Sequence, residues 1–595
     1  MIRRRHAMPF GATVHDDGTL FRLWAPTAQR VALRLYEPGR LIPMSAGGDG
    51  WHEVLVPGVG EGARYHYVID GSQAVPDPAS RFQPQDVHGP SEVIDAGRFE
   101  WSDGHWQGRP WHETVLYELH VGTFGKAGTF IGVIGELDRL AALGVTAIEL
   151  MPVAAFAGAR NWGYDGVLPF APDSSYGRPE DLKRLVAAAH GRGLMVFLDV
   201  VYNHFGPEGN YLGLYAKPVF AGRHTDWGEA LNVAESGPSA RDFFVENALY
   251  WLEEFNLDGL RLDAVHAIQD DSEGHFLVEL ARRVRAATPA GRHRHLVVEN
   301  DDNAAWLLAE KGLYDAQWND DFHHAMHVIL TGETAGYYRD YAEMPVEQLG
   351  RCLVEGFAYQ GEWSAHRERR RGEKSAGLTP LAFVTFLQNH DQIGNRAFGE
   401  RLIQLTAPEA LAAAVAIQLL APSPPLLFMG EEWGAATPFL FFCDFGGELG
   451  NAVRDGRRRE FARFPAFADL EARERIPDPI DPATFERSRV DRPPSALGAD
   501  MTALYRRLLE IRRREIMPRL AGSPRGDGYE VRGTRLIADW TLAEGSRLRL
   551  TANLGAAAVA GEMPAAGWRE LYRSGVAVGP MLAPWSVAWH LHEAP

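Results

Sequence analysis

Four short polar clusters end apolar, strand-like runs of this chain in a fixed order. They are Asp199-Val200-Val201-Tyr202-Asn203-His204, Arg261-Leu262-Asp263, Glu299, and Asn389-His390-Asp391. Carboxylates, two histidines and an arginine at strand ends describe one site assembled by strands far apart in sequence. Two acids facing each other suit cleavage of a glycosidic bond, with one carboxylate as nucleophile and one carboxylic acid as proton donor, about 5–5.5 Å apart in a retaining enzyme. Asp263 and Glu299 would end neighbouring strands, whose axes lie about 4.8 Å apart. Arg261, two residues before Asp263, points to the same side of its strand and would keep that carboxylate ionised. Glu299 must start protonated, and a nearby carboxylate with partial burial would favour that. Asp391 and His390, across the ring, could hold sugar hydroxyls as positive charge develops on the sugar.

The elements that must position these residues are eight apolar runs: Val115–Val121, Val145–Leu150, Leu194–Val201, Gly259–Val265, Leu296–Glu299, Asp315–Trp318, Phe383–Leu387 and Pro425–Met429. Helix-like segments such as Gly135–Leu143, Pro179–Arg192 and Asp242–Phe255 separate most of them. Near-continuous apolar strands alternating with helices predict a parallel sheet covered on both faces, and eight units predict a (β/α)8 barrel with its site at the carboxyl ends of the strands. An open doubly wound sheet is the competing arrangement.

The fold class is therefore a multidomain α/β chain. Residues 1–95 read as a β-sandwich, because Phe21–Trp24, Val31–Tyr36, Val54–Val56 and Tyr65–Ile69 alternate with period 2 between Gly and Pro. Residues 96–517 form the barrel, with insertions at about 204–240 and 321–372 that would shape a substrate cleft. An amphipathic helix over Asp500–Met517, with Met501, Leu504, Leu508 and Ile511 on one stripe, closes it. Residues 518–595 read as a small antiparallel β-domain. The run Arg367–Arg371 reads as a solvated helix face.

Composition narrows the partners. Sixty basic against 78 acidic residues leave a formal charge of −18, which suits a neutral polyol better than nucleic acid or a polyphosphate. Nucleotide loops are missing, because Gly58–Gly62 lacks the third-glycine spacing and the following helix. Asp199, Asn203 and His204 could ligate an ion, but no His-x-His or His-Glu-x-x-His is present, so neither a metal nor another cofactor is expected. The two cysteines, Cys352 and Cys443, make no disulfide framework and read as small buried hydrophobes. The basic start precedes no apolar stretch, and Leu411–Gly430 is broken by three prolines, so a core helix and strand are expected there rather than a membrane span. The expected compartment is the cytoplasm. Aromatics crowd the clusters, with Trp162 and Tyr164 beside Asp165 as the best sugar-stacking candidates and Trp227 in the first insertion.

At these residues the chain resembles the α-amylase superfamily of glycoside hydrolases, family 13, whose four signature regions the clusters match in order. The resemblance implies that Asp263 is the nucleophile, Glu299 the acid/base and Asp391 the transition-state stabiliser. Tyr164, His204, Arg261 and His390 would line the subsite of the attacked glucose, and Trp162, Asp165, Trp227, His266 and Asp320 join them as candidate substrate-binding residues. It implies a β-sandwich before the barrel and a β-domain after it. In some relatives the position of Asn203 binds structural calcium. Tyr117–Phe124, Arg261–Ile268, Gln388–Arg396 and Phe428–Trp433 are similar to the trehalohydrolase branch, which cuts the α-1,4 bond next to the terminal trehalose of a maltooligosyltrehalose. That likeness implies trehalose as product and a maltooligosyltrehalose synthase as pathway partner. The lysine often found after the nucleophile is Val265 here, which fits an altered acceptor-side subsite. A glycogen-branching or debranching enzyme is the alternative, and a non-catalytic glucan-binding protein a more distant one.

Overall fold

A computed structural model describes residues 2–225, 228–234, 240–309, 312–462, 464, 467, 469–492, 495–562, 566–575 and 581–594. Among them, eight parallel strands form the central sheet: β1 (Leu116–Leu119), β2 (Ala147–Leu150), β3 (Met195–Val200), β4 (Gly259–Leu262), β5 (His295–Val298), β6 (Ala316–Trp318), β7 (Phe383–Val384) and β8 (Leu426–Phe428). Each neighbours the next, and β8 returns to β1. A parallel bridge from Thr385 to Pro425 joins the extensions of β7 and β8, so the sheet closes into a barrel rather than staying open. All eight apolar runs of the sequence supply a barrel strand.

Period 2 explains how the site is carried. Residues two apart along a strand share a face. On the inner face, Leu116, Ala147, Phe197, Val297, Trp318 and Leu426 belong to one buried apolar cluster. One step further toward the carboxyl ends, the same faces present Glu118, Glu149, Asp199 and Glu299. Gly259 opens β4 because Phe197 fills the interior there, and a Cβ on Gly259 would lie 2.2 Å from its ring. An apolar plug thus supports a charged layer, the arrangement barrel enzymes use.

Helices cover the outside, including Pro179–His190, Ala240–Glu254, Asp320–Thr331 and Pro408–Leu420. The closing helix runs from Ala496 to Ile511 with Ser495 capping Gly498 N. It starts four residues before the expected Asp500; Met501 and Leu508 of the expected stripe are buried and Leu504 and Ile511 partly so, and Tyr505 and Leu509 are buried as well because the helix also packs on the turn after β8.

Two antiparallel sheets, Gly11–His15 to Trp51–Pro57 and Val31–Leu35 to Gln73–Val75, make the N-terminal sandwich. It is fastened to helix Ala240–Glu254, with the Phe10 and Phe243 rings 5.3 Å apart and His6 between Glu246 and Glu253. At the other end a five-stranded antiparallel sheet docks through two stacked indoles. Trp540 donates to Leu353 O at 3.0 Å and Trp589 to Ala416 O at 3.1 Å. Its first strand, Arg525–Arg532, was not evident in the sequence, because charged residues recur along it. Both cysteines are buried and unpaired. No helix among the described residues is long and apolar enough to cross a membrane; Leu411–Gly430 holds most of the helix Pro408–Leu420 and β8.

The Arg367–Arg371 expectation fails. The run belongs to a β-hairpin, Glu362–Ser364 paired with Arg369–Arg371, rather than to a helix. Gly361 and Gly372 bound it at φ +118° and +87°, values only glycine adopts readily, and on Gly372 a Cβ would lie 1.9 Å from Tyr359 O.

Candidate active site

At the carboxyl end of the barrel lies a cleft of about 990 Å³. Of the residues singled out in the sequence, Trp162, Tyr164, Asp165, His204, Asp263, His266, Glu299, Asp320, His390 and Asp391 line it. Arg261 lies beneath it, fully buried. Trp227 lies outside the described residues.

The register puts the two central acids together. Leu262 pairs with Val298 across β4 and β5, so Asp263 and Glu299, each one residue further on, stand side by side. One guanidinium holds both. Arg261 Nη1 lies 2.9 Å from Asp263 Oδ1 and 2.6 Å from Asp199 Oδ2, and Nη2 lies 3.1 Å from Glu299 Oε2. Burial works against the arginine charge, but Asp199, Tyr164, Glu299 and Asp263 outweigh it and hold its pKa well above the usual value. Below Arg261, the Trp318 ring supports the guanidinium. Side chains of Asp263, Glu299 and Asp391 are 14, 16 and 38 % exposed, so all three reach the cleft.

Short turns fix the carboxylates. Asn203 Nδ2 donates to Asp263 Oδ2 at 3.1 Å and to Asp263 O at 3.2 Å, so this side chain anchors the strand end. His204 Nδ1 contacts Asn203 Oδ1, and burial lowers the His204 pKa. Ala264 N donates to Glu299 Oε2 at 2.7 Å. Asp391 opens a short helix that Asn389 caps, with Asn389 Oδ1 accepting from Asp391 N at 2.9 Å.

A second set of bonds crosses the barrel. The Tyr164 hydroxyl donates to Asp199 Oδ2 at 2.7 Å and lies 2.8 Å from His390 Nε2, with the two rings stacked at 5.1 Å. Gly163 permits this loop, since at φ +107° a Cβ would meet Pro152 O at 2.1 Å. Burial pushes Asp199 up to about 7 despite Arg261. Asp320, half-buried at the start of its helix, is pushed up to about 8 by burial, with Glu299 and Asp391 adding. Asp165 is raised by burial while accepting from Asn161 Nδ2 at 2.7 Å.

Trp162 is placed differently from an open sugar platform. It is 5 % exposed, stacks on Phe439 and donates to Leu440 O, so it is the wall behind His390. Sequence reasoning missed Glu118, and it weighed Asp199 only as a metal ligand. It also missed Asp301, His324, Tyr337, Asp340, Tyr341 and the arginines Arg367, Arg371 and Arg457 on the cleft walls. Arg371 is buried, paired with Asp321 at 2.6 Å, and Arg367 pairs with Asp301. For Glu118 a signal did exist: a charge in the middle of an otherwise apolar strand.

A closed (β/α)8 barrel carrying two half-buried acids on one buried arginine, with a third carboxylate across the cleft, defines an α-amylase-type glycoside hydrolase. Family profiles agree in order along the chain: carbohydrate-binding module 48 (isoamylase N-terminal domain) over residues 9–83, the α-amylase catalytic domain over 94–245, and a domain of unknown function, DUF3459, over 524–589. The chain belongs to the malto-oligosyltrehalose trehalohydrolase family. It is 47 % identical to the malto-oligosyltrehalose trehalohydrolase of Deinococcus radiodurans, over 84 % of this chain and 81 % of that one. Against the Saccharolobus solfataricus protein of the same name, identity is 42 % over 85 and 87 %. A solved chain from Salmonella typhimurium is 44 % identical, with a TM-score of 0.92 over 98 % of this chain and all of that one. A pullulanase from Anoxybacillus, solved with maltotetraose, shares the fold at 17 % identity and a TM-score of 0.70, covering 98 and 87 %.

Proposed function

We propose that this chain hydrolyses the α-1,4-glucosidic bond next to the terminal trehalose of a maltooligosyltrehalose, releasing trehalose and a maltooligosaccharide with retention of configuration. The observation that carries the reading is the single Arg261 fork bridging Asp263 and Glu299 at 2.9 and 3.1 Å, in a chain whose near-full-length relatives bear the trehalohydrolase name. Two carboxyl groups on one guanidinium stand close enough for a double displacement.

Glu299 gives its proton to the glycosidic oxygen as that bond breaks. Asp263, held by Arg261 and Asn203, attacks the anomeric carbon and forms a glycosyl ester, while trehalose leaves as the neutral alcohol. Glu299, now ionised, takes a proton from water, and the hydroxide oxygen displaces Asp263. Asp391 and His390 hold hydroxyls of the attacked glucose, and their bonds strengthen as its ring flattens. Tyr164 stacks on that ring. His204, Asp165, His266 and Asp320 would contact sugar hydroxyls around it. A maltooligosyltrehalose synthase is the proposed source of substrate, with no stable complex required. Two unpaired buried thiols fit a reducing compartment, for which the cytoplasm is proposed.

Product analysis tests the reading. The protein is incubated separately with maltooligosyltrehalose and with a plain maltooligosaccharide of equal length, and the sugars are separated. Rapid release of trehalose, with the plain sugar cut slowly, is the expected result. Glucose, maltose or new branch points from the plain sugar, with no preference for the trehalose end, would move the assignment to an amylase or a branching enzyme.

A further inference from the structure

Beneath the cleft, the inner faces of β1 and β2 carry two carboxyl groups with no part in the steps above, Glu118 and Glu149, which are 1 and 0 % exposed. We propose that Glu118 is a positioning residue that keeps His390 doubly protonated and aimed at the attacked sugar. The inference rests on the reading of this cleft as a glycosidase site.

The bonds themselves point to it. Glu118 grips His390 twice, with Oε1 against Nδ1 of the ring and Oε2 accepting from the His390 backbone N–H at 3.2 Å. This fixes both the ring and the turn carrying Asp391. On the other side, the Tyr164 hydroxyl spends its only proton on Asp199, so at His390 Nε2 its oxygen accepts. His390 therefore donates from both nitrogens, which only an imidazolium can do. The one Nε2–H, 2.8 Å from the Tyr164 oxygen and on a nitrogen 3.5 Å from Asp391 Oδ1, would be shared with a sugar hydroxyl that Asp391 also holds, as a charge-assisted three-centre bond.

The surrounding charges agree. Burial works against the His390 cation, while Asp391 and Glu118 favour it and Arg261 opposes it, and the balance lifts its pKa to about 9. His120, nearby, is held neutral by burial with a pKa of about 4. Tyr164 is likewise kept neutral by burial. Neither oxygen of Glu149 has a hydrogen-bond partner among the described residues, and burial, with Glu118 and Asp199 adding, keeps it protonated. So the negative charge under His390 belongs to Glu118.

The test compares pH profiles of kcat/KM on maltooligosyltrehalose for the wild type, Glu118→Gln, Glu149→Gln, His390→Asn and the Glu118→Gln/His390→Asn pair. Loss of a proton from either Glu299 or His390 closes the alkaline limb, and in Glu118→Gln His390 should become the first to lose it, moving the limb down by at least about one pH unit, a tenfold loss at a fixed pH on that limb. Glu149→Gln should leave the limb in place. In the His390→Asn background Glu118→Gln should move no limb and change kcat/KM less than about twofold, since the coupled partner is gone. An unmoved limb in Glu118→Gln, or the same shift without His390, would overturn the proposal. Imidazole-15N NMR provides an arm independent of activity. The wild-type signal missing from His390→Asn should be that of an imidazolium at pH 8; a neutral imidazole there would overturn the proposal. Should the wild type cleave neither sugar, the functional reading fails, while the NMR arm still decides whether His390 is the imidazolium that the role of Glu118 requires.

Discussion

Arg261 and Trp318 meet on the floor of the cleft, the guanidinium carbon 4.1 Å from the indole centroid. The indole plane sets the plane of the fork, and the fork sets the spacing of Asp263 and Glu299. A desolvated contact of this kind is worth about 2 kcal/mol. Lysine would keep the charge but lose the plane and the second nitrogen, which pairs with Glu299 at 3.1 Å. Arg261→Lys is expected to lower kcat by about 10²–10³-fold, the cost of losing one preorganised donor, with a smaller change in KM. Initial-rate kinetics on maltooligosyltrehalose decide it, and a kcat within twofold of wild type would contradict the role.

Removing the proposed proton donor should separate binding from turnover. Glu299→Gln keeps the size and the acceptor that Ala264 N needs at 2.7 Å, so the loop stays. Turnover should fall by about 10²–10⁴-fold, the usual contribution of general acid catalysis. Calorimetric affinity for the intact substrate should stay within a few-fold of wild type. A variant that lost binding and turnover together would place Glu299 among the sugar-holding groups instead.

The Arg371–Asp321 pair makes a stability prediction. Both side chains are buried, 2 and 0 % exposed. Asp321 also accepts from Ala358 N, Tyr359 N and Asn303 Nδ2, at 2.7, 3.0 and 2.8 Å. Arg371→Met leaves the carboxylate buried with backbone donors but no cation, which costs about 3 kcal/mol. Urea unfolding of wild type and variant measures it. A difference below about 0.5 kcal/mol would mean that the donors alone neutralise Asp321.

His6 ties the N-terminal segment to helix Ala240–Glu254 and gives the fold a pH dependence. Its ring nitrogens lie 2.7 Å from Glu253 and 2.8 Å from Glu246, and Arg283 also faces Glu246. Burial opposes the charge, but the two glutamates outweigh it and raise the pKa from 6.5 to about 9. A raised histidine stabilises the fold fully below its unfolded pKa and loses that contribution as pH rises through the folded one. The window is therefore pH 6.5 to 9. His6→Gln should cost on the order of 2–3 kcal/mol at pH 6 and little above pH 9.5. Denaturant titrations at the two pH values test it, and a cost that grows with pH would reverse the sign.

Much of this was legible because of two properties of a barrel strand. Burial of both faces first makes each strand apolar enough to recognise, then period 2 holds the strand interior in register with the core and delivers residues such as Asp263 and Glu299 to one rim. What stayed hidden shared a cause. Arg367–Arg371 looks the same to a charge count in a solvated helix or a hairpin, and only Gly361 and Gly372 betray the turns. Trp162 as a wall, rather than a platform, depends on Phe439, which arrives from 277 residues further along the chain. Asp199 and Glu118 act through other side chains, so a charge in an apolar strand marks their positions but not their partners.

Ala264, directly after Asp263, holds backbone strain where it bears on the chemistry. It sits at φ 40°, ψ 48°, the left-handed region that disfavours a residue with a Cβ. Its N–H points at Glu299 Oε2 from that conformation. Glycine adopts the same angles without penalty, so Ala264→Gly relieves strain of about 1 kcal/mol in the folded chain. It also frees the unfolded chain by a comparable amount. Net stability should therefore stay within about 1 kcal/mol of wild type. The loop, however, gains freedom, and the N–H loses its fixed aim at Glu299. Turnover should fall several-fold while the melting temperature barely moves. Thermal unfolding together with kcat decides between strain as a passive cost of the turn and strain as the means of aiming that N–H. Unchanged kcat would favour the first.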